Sequence, residues 1–205
     1  MQKITRRQLI DHLYKAGIEQ SQPIQKSKCK LAVMTLFNVI ENALVNLESV
    51  TIKGVVRLVP CYCPSNDLSL KVPGQGEIPK RDRVKVRSGK DAPLTCVSQR
   101  VFKAELIGRI EDALFNEHGL RPLEASPLAE EIYKTFVMNL QNIDQETELA
   151  ISRVGRFYRN VEAFVEDGPI LFSSSKHLTD RIELCSLPVA KERYLDATER
   201  LDHAG

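Results

Sequence analysis

Residues 49–90 read SVTIKGVVRLVPCYCPSNDLSLKVPGQGEIPKRDRVKVRSGK, and the predicted fold depends on them more than on any other segment. It opens with the apolar alternation of a β-strand, followed by a turn at Gly54. Near its end, residues 83–87 (RVKVR) alternate basic and apolar side chains. Alternate side chains of an extended strand point to opposite faces, so the cations share one face and the valines the other. The stretch predicts a basic two-stranded ribbon with a turn at Pro73-Gly74.

The basic face of this ribbon has two interpretations. Lysine and arginine side chains aligned along a strand can follow a groove of a duplex and neutralise its phosphates. Charged side chains on an edge strand also prevent it from pairing with other molecules, with the positive side facing water. Residues 83–87 alone are compatible with both.

The composition is that of a globular protein. The chain has 205 residues, of which 42% are apolar and 27% are charged, which suits one large or two small domains. No apolar run approaches the roughly 18 residues that a membrane span requires, and we expect no membrane partner. The first residues lack the apolar stretch of a secretion signal, and the 5 cysteines are odd in number and scattered. These features predict a cytoplasmic protein without disulfides.

The charge is unevenly distributed between the two halves of the chain. Residues 1–95 contain 16 Lys or Arg against 8 Asp or Glu, a net charge of +8. The remaining residues contain 13 against 19, a net charge of −6. By bulk charge, the first half is therefore the candidate binder of a polyanion and the second half is not.

Helix signals occur in both halves. Thr5 and Gln8 have the spacing of a capping box, and apolar residues at helical spacing predict a long helix over about 26–47. In the second half, Phe102–Leu114 has a similar stripe, and Ser126-Pro127 has the form of a helix start.

The last third of the chain predicts strands and two further helices. Alternation indicates a strand over 147–151 and another over 158–165, and Asp167-Gly168-Pro169 indicates a tight reversal. Ser175 is a candidate cap of a short helix, and a separate helix with a charged exterior is predicted after Pro188. That final helix is expected to dock on the chain itself, although a partner protein is the alternative.

The order of predicted elements occurs twice. Leu9-Ile10 corresponds to Leu106-Ile107 at an offset of 97 residues, and Gly54-Val55 corresponds to Arg153-Val154 at an offset of 99. Two such similar offsets indicate a duplicated unit.

The residues of this unit resemble the bacterial histone-like and integration host factor (HU/IHF) family of DNA-binding proteins. The marks of the resemblance in the first copy are TRRQLI (5–10), GVVRL (54–58), the ribbon, and RSGKD (87–91). In the second copy they are RVGRF (153–157) and SSKHLTDRI (174–182). The resemblance implies an α+β fold with two units, each a helical base with an antiparallel sheet and an arm. The units are predicted at 1–92 and 98–187, with a C-terminal helical tail at 188–205.

Members of this family are intertwined dimers whose arms embrace duplex DNA in the minor groove, and a proline at the arm tip wedges between base pairs and kinks the duplex. The resemblance implies that one chain forms an intramolecular pseudo-dimer that binds and bends DNA with low sequence specificity. It implies a wedge at Pro73, which is otherwise an ordinary turn proline. The other DNA-binding residues that it implies are Arg57, Lys71, Lys80, Arg81, Arg83, Lys85, Arg87 and Lys90.

The second copy supports a different hypothesis. Its arm, residues 161–169 (VEAFVEDGP), is short and acidic, and its carboxylates would repel phosphates. Pro169 is more typical of a turn than of a wedge. The alternative function is that of a structural or adaptor protein, such as a ring or connector component of a phage virion, whose arm contacts a neighbouring subunit. Self-association or binding of protein partners is then expected through the second unit.

No catalytic, metal or cofactor site is predicted. Cys61 and Cys63 share one side of a strand, but no further Cys or His pair completes a set of four zinc ligands, so buried free thiols are favoured. The 4 histidines are dispersed, and none has a partner at a spacing typical of nucleophilic or acid–base catalysis. We therefore expect a non-enzymatic protein, located at the nucleoid in the cytoplasm or, in the alternative, in a virion.

Overall fold

The computed structural model describes residues 2–19, 24–65, 81–89, 92–159 and 170–202. Within these residues the chain forms five helices and eight strands. The first half contains β1 (Gln2–Thr5), α1 (Arg6–Glu19), α2 (Lys26–Val45), β2 (Ser49–Ile52), β3 (Val56–Cys63) and β4 (Arg83–Ser88). The second half contains β5 (Arg100–Val101), α3 (Lys103–Asn116), α4 (Pro122–Gln141), β6 (Thr147–Ile151), β7 (Gly155–Arg159), β8 (Ile170–Ser174) and α5 (Lys176–Asp202).

The strands form two four-stranded sheets, and the predicted α+β class is confirmed. The first sheet has the order β4-β3-β2-β5 and the second has the order β1-β6-β7-β8. The expectation of purely antiparallel sheets was wrong, because β5 pairs with β2 and β1 pairs with β6 in parallel. Both parallel strands enter their sheet from the other half of the chain, which leaves their direction unconstrained by a hairpin.

The two halves exchange their opening strands. Strand β1 of the first half aligns Ile4 with Leu149 in the second sheet, and β5 of the second half aligns Val101 with Val50 in the first sheet. The exchange is reciprocal, so each sheet contains three strands of one half and the opening strand of the other. Neither short strand has a hydrophobic period that would have revealed it in the sequence.

The elements recur in the same order and with similar lengths. Helices α1 and α3 both have 14 residues, and α2 and α4 both have 20. Three strands follow each helix pair, and the order of one sheet repeats that of the other. This recurrence agrees with the predicted duplication; the duplication itself and the HU/IHF-like identity of each unit stay predictions.

A single hydrophobic core joins the halves. Its centre contains a chain of aromatic contacts: Phe37 of α2 contacts Phe136 of α4 at 5.8 Å between ring centroids, and Phe136 contacts Phe157 of β7 at 5.8 Å. Phe157 contacts Phe172 of β8 at 4.9 Å. Because Phe136 is fully buried between elements of both halves, its packing stabilises both together.

The predicted capping box is confirmed. The Thr5 backbone N–H donates to Gln8 Oε1 at 2.8 Å, and the Gln8 N–H donates to Thr5 Oγ1 at 3.5 Å. The box ends β1 and starts α1, so it fixes the angle between the exchanged strand and the helical layer.

Two helix predictions were wrong, and both concern proline. Helix α4 begins at Pro122 rather than at Ser126, and α5 continues through Pro188, where the sequence predicted two separate helices. The carbonyl groups left without a donor by these prolines belong to the exposed residues Leu123 and Leu184, so water can satisfy them. The predicted cap at Ser175 is confirmed, since its Oγ accepts the Leu178 N–H at 3.1 Å.

Strand β7 begins earlier than predicted, at Gly155, and its predicted end lies outside the described residues. Its start is set by the core, because Phe157 is buried and must lie opposite Leu149 and Phe172. The reversal predicted at 167–169 also lies outside the described residues. No helix in the described part of the chain has the length and apolar character to cross a membrane.

Candidate nucleic-acid interface

The predicted one-sided arrangement of β4 is confirmed. Val84 and Val86 are buried in the core, whereas Lys85 and Arg87 are exposed and Arg83 is half-buried on the opposite face. Burial of the two valines fixes the register, because a shift by one residue would place the cations in the core. The basic side of the strand therefore cannot rotate away from the outer face of the sheet.

The neighbouring strand gives this outer face an apolar floor. The residues of β3 opposite Arg83, Lys85 and Arg87 are Cys63, Cys61 and Val59 in that order, and all three are buried. The Arg87 Nη2 lies 4.0 Å from the Cys63 sulfur, so its side chain covers this floor. Lys85 and Arg87 remain exposed above the sheet, whereas the Nε of Arg83 is buried.

The thiols beneath the cations are buried and hydrogen-bonded to backbone carbonyl groups. Cys61 Sγ donates to the Pro93 carbonyl at 3.5 Å, and Cys96 Sγ donates to the Pro60 carbonyl at 3.0 Å. Burial raises the pKa of Cys61 to about 12, with a further contribution from the nearby Cys96 thiol. All five cysteines are free, and the described residues contain no group of three or more His, Cys, Asp or Glu side chains arranged to hold a metal ion. The prediction of buried free thiols at Cys61 and Cys63 is confirmed.

Arg57 lies beside Ser88, the last residue of β4, and forms hydrogen bonds with the chain that follows this strand. Its Nε donates to the Gly89 carbonyl at 3.2 Å and its Nη2 donates to the Ala92 carbonyl at 3.5 Å. These hydrogen bonds connect β3 to the segment that leads towards the second half. Arg57 therefore has a structural role, and its predicted contact with DNA stays a prediction.

The segment just before β4 and the facing end of β3 contact helix α5. Lys191 donates to Asp82 Oδ2 at 3.0 Å, and the ring of Tyr194 packs 5.0 Å from that of Tyr62. A hydrogen bond from Tyr62, then one from Lys191, lowers the pKa of Asp82 to about 2. Self-docking of the last helix is thus confirmed. Arg81 is exposed and lies 3.7 Å from Glu183 of α5.

The structure brings together only part of the predicted DNA-binding set. Arg83, Lys85 and Arg87 share one face of β4. Arg81 lies just before the start of β4, and Arg57 lies beside its last residue. The remaining four predicted positions lie outside the described residues: Lys71, Pro73, Lys80 and Lys90. The acidic arm at 161–169 also lies outside them.

The two sheets adjoin along β4 and β8. The Phe172 backbone N–H donates to Ser88 Oγ at 3.1 Å across this junction. Both sheets also contribute residues to the same hydrophobic core. The sequence analysis assigned no role to the outer face of the second sheet. Its only sequence signal was a pair of arginines, Arg153 in the turn before β7 and Arg156 in β7, at the positions that correspond to Gly54 and Arg57.

Comparisons with known proteins add no family assignment. No protein-family model matches the chain, and no curated protein sequence is significantly similar to it.

Proposed function

We propose that this protein is a non-enzymatic, architectural DNA-binding protein that contacts duplex phosphates through the outer face of β4. The observation that carries the proposal is the fixed alignment of Arg83, Lys85 and Arg87 above a buried floor. Three cations on one side of a rigid strand form a preorganised surface for binding a polyanion, because folding has already restricted their backbone.

The dimensions of this surface suit a duplex. Alternate residues of a strand are about 7 Å apart, so the three cations extend over about 14 Å. B-DNA presents one phosphate charge per about 1.7 Å of axis, which gives about eight charges over that length. The strand can therefore engage several phosphates without any deformation of the protein.

Low sequence specificity follows from the residues themselves. Lysine and arginine contacts to phosphates fix position but do not discriminate bases. The resemblance to the HU/IHF family supports bending as the source of any preference, with Pro73 as the proposed wedge. We extend the proposal to a location at the nucleoid in the cytoplasm.

A second candidate function, that of a structural or adaptor protein in an assembly such as a virion, is supported by apolar side chains on the helical base. Phe115 at the end of α3 and Leu123 at the start of α4 are exposed, with Leu123 91% accessible. Apolar groups at a surface favour protein–protein contact when they form a continuous patch. In this candidate the β4 cations contact an acidic surface of a neighbouring subunit.

The decisive experiment is a salt titration of duplex binding by the full chain. The wild type is compared with Arg83→Gln/Lys85→Gln/Arg87→Gln and with a matched control, Lys15→Gln/Lys30→Gln/Arg200→Gln, which neutralises three exposed cations of helices α1, α2 and α5. If the three β4 cations each contact a phosphate, the log–log slope should become shallower by about 2.7 in the first variant only. A wild type without salt-dependent binding, together with concentration-dependent assembly into rings, would support the adaptor.

The wedge is tested separately with Pro73→Ala. A side chain that unstacks bases mainly changes the shape of the bound duplex, so the bend angle should decrease more than the affinity. Bending is measured by energy transfer between the ends of a labelled duplex. An unchanged bend with an unchanged affinity would identify Pro73 as a turn residue only.

A further inference from the structure

The outer face of the second sheet contains an open groove of about 770 Å³. Strands β1, β6, β7 and β8 contribute to it, together with the start of α1 and the turn between β6 and β7. Five of its lining residues are cationic and a single one is anionic, a net formal charge of +4. The cations are Lys3, Arg6, Arg7, Arg153 and Arg156.

This charge is unexpected, because the second half of the chain has a net charge of −6. The strand exchange explains it, since β1 carries Lys3 into the second sheet and the capping box then places Arg6 and Arg7 beside it. The acidic half thus acquires a basic groove from the opening residues of the basic half. Bulk charge by half could not have revealed such a site.

The one carboxylate that lines the groove, Glu148, positions two of the cations and does not neutralise the net positive charge of the groove. Glu148 is buried, with its side chain 4% exposed, and lies 3.5 Å from Lys3 Nζ and 3.6 Å from Arg156 Nη1. The side chains of Lys3 and Arg156 are themselves 65% and 58% exposed, so each can still bind a ligand. The Arg156 guanidinium also stacks on the Tyr158 ring at 5.6 Å, which restricts its motion.

The turn that carries Arg153 is held rigidly at the mouth of the groove. The Ser175 N–H donates to the Val154 carbonyl at 3.0 Å, and Ser175 Oγ donates to the Arg153 carbonyl. Within the described part of the chain, Arg6 and Arg153 form no ion pair. Arg7 has an acidic neighbour in Asp11, whose pKa is lowered mainly by a hydrogen bond from Lys26 and also by the charge of Arg7. The hydroxyls of Ser152 and Ser173 add further donors to the lining. Exposed cations on a rigid frame, beside hydroxyl donors, are the chemistry that recognises phosphate groups.

We propose that this groove binds phosphate groups of the same duplex that β4 contacts, an inference that rests on the proposed function. Strand β4 and the four strands of the second sheet, side by side, measure about 20 Å. One turn of B-DNA is about 34–36 Å long, so this footprint covers somewhat more than half a turn. Since the sheets adjoin at β4 and β8, the footprint extends from β4 across the second sheet to the opening residues of the chain.

The test variant is Arg6→Gln/Arg7→Gln/Arg153→Asn in the full chain. It leaves the Lys3–Glu148–Arg156 contacts intact, and asparagine tolerates the left-handed backbone of position 153, where φ is 79°. Three lost phosphate contacts should make the log–log salt slope shallower by about 2.7 and weaken binding at 0.1 M salt by about 500-fold relative to 1 M. The control is the same Lys15, Lys30 and Arg200 variant, and circular dichroism checks that all variants are folded.

The outcomes separate this inference from the proposed function. Shallower slopes in both the groove variant and the β4 variant, with additive losses in the combined variant, support a footprint across both sheets. A wild-type slope in the groove variant beside a shallow slope in the β4 variant overturns the groove inference and leaves the proposed function standing. The reverse pattern retains the groove and overturns β4 as the DNA-binding surface. If the wild type binds no duplex, both proposals fail.

Discussion

In the first sheet the cations of the outer face lie on β4 itself, whereas in the second sheet several are supplied by the opening residues of the chain. Within the described residues, β3 has eight residues and its counterpart β7 has five, yet the strand order is the same. The two sheets therefore have the same architecture but obtain their basic surfaces in different ways. A half with a net negative charge can still present a cationic face when its sheet incorporates a strand from the other half.

The largest expected effect on stability comes from removing the core side chain that both halves share. Phe136→Ala should lower the free energy of unfolding by about 3–5 kcal/mol, because it leaves a cavity between Phe37 and Phe157. Urea denaturation followed by circular dichroism measures this loss. The exposed Leu123→Ala is the control and should change stability by less than about 0.5 kcal/mol.

If Phe136→Ala instead produced two separate unfolding transitions, the halves would be independent domains. Such a result would contradict the single shared core, in which the halves unfold together.

A second test uses a position at which the two halves differ in sequence. Gly155 starts β7 and corresponds to Val56 at the start of β3. An added Cβ at Gly155 would lie 2.3 Å from the Ser173 carbonyl oxygen, and its φ of 153° is itself unfavourable for other residues. We expect Gly155→Ala to cost about 3 kcal/mol of stability.

The matched glycine control is Gly108→Ala in helix α3, where a Cβ meets no atom within 4 Å. It should stabilise the protein by about 0.5–1 kcal/mol in the same urea titration, because alanine is the better helix former. A stable Gly155→Ala protein would show that β7 and β8 can separate without loss of the second sheet.

A third test concerns the contact of Asp82, just before β4, with Lys191 of helix α5 and Tyr62 of β3. Asp82→Asn should lower stability at neutral pH by about 1 kcal/mol, since it weakens charge-assisted hydrogen bonds from Tyr62 and Lys191. The pKa of Asp82 is lowered from 3.8 to about 2 in the folded protein, so the contribution is present above pH 3.8 and is lost as the pH falls towards 2. Urea titrations over this range should show wild type and variant converging in acid. A constant difference at all pH values would exclude the charge of Asp82 as the cause.

The smallest expected effect separates binding from stability. Lys85→Gln should leave the free energy of unfolding unchanged within about 0.5 kcal/mol, because the side chain is exposed at the sheet surface. In the salt titration the same change should make the slope shallower by about 0.9, the contribution of one phosphate contact. Loss of stability without a change in slope would assign Lys85 to the fold and not to the interface.

Much of the local structure could be predicted from the sequence. The capping box at Thr5, the long helix in the first half and the alternation of β4 all depend on neighbours within a few residues, and the structure contains all three. The continuity of α5 through Pro188 could not be predicted in this way. A proline breaks an isolated helix, and here the packing of Tyr194 on Tyr62 keeps the segment beyond it in place.

The candidate sites divide in the same manner. Sequence alternation was sufficient to place Arg83, Lys85 and Arg87 on one face, because a strand repeats every two residues. The basic groove was not predictable, since it combines Lys3 with Arg153 and Arg156, about 150 residues apart in the chain. Only the parallel pairing of β1 with β6 brings them together.

Local features followed from the sequence alone: the capped start of α1, the apolar faces of the longer strands, and the basic side of β4. Tertiary structure alone decided which strands are neighbours, and therefore which charges share a surface. The physical reason is one of range. Capping and periodicity act between residues a few positions apart, whereas the burial of an opening strand against the other half gains its free energy from contacts that form only in the folded molecule.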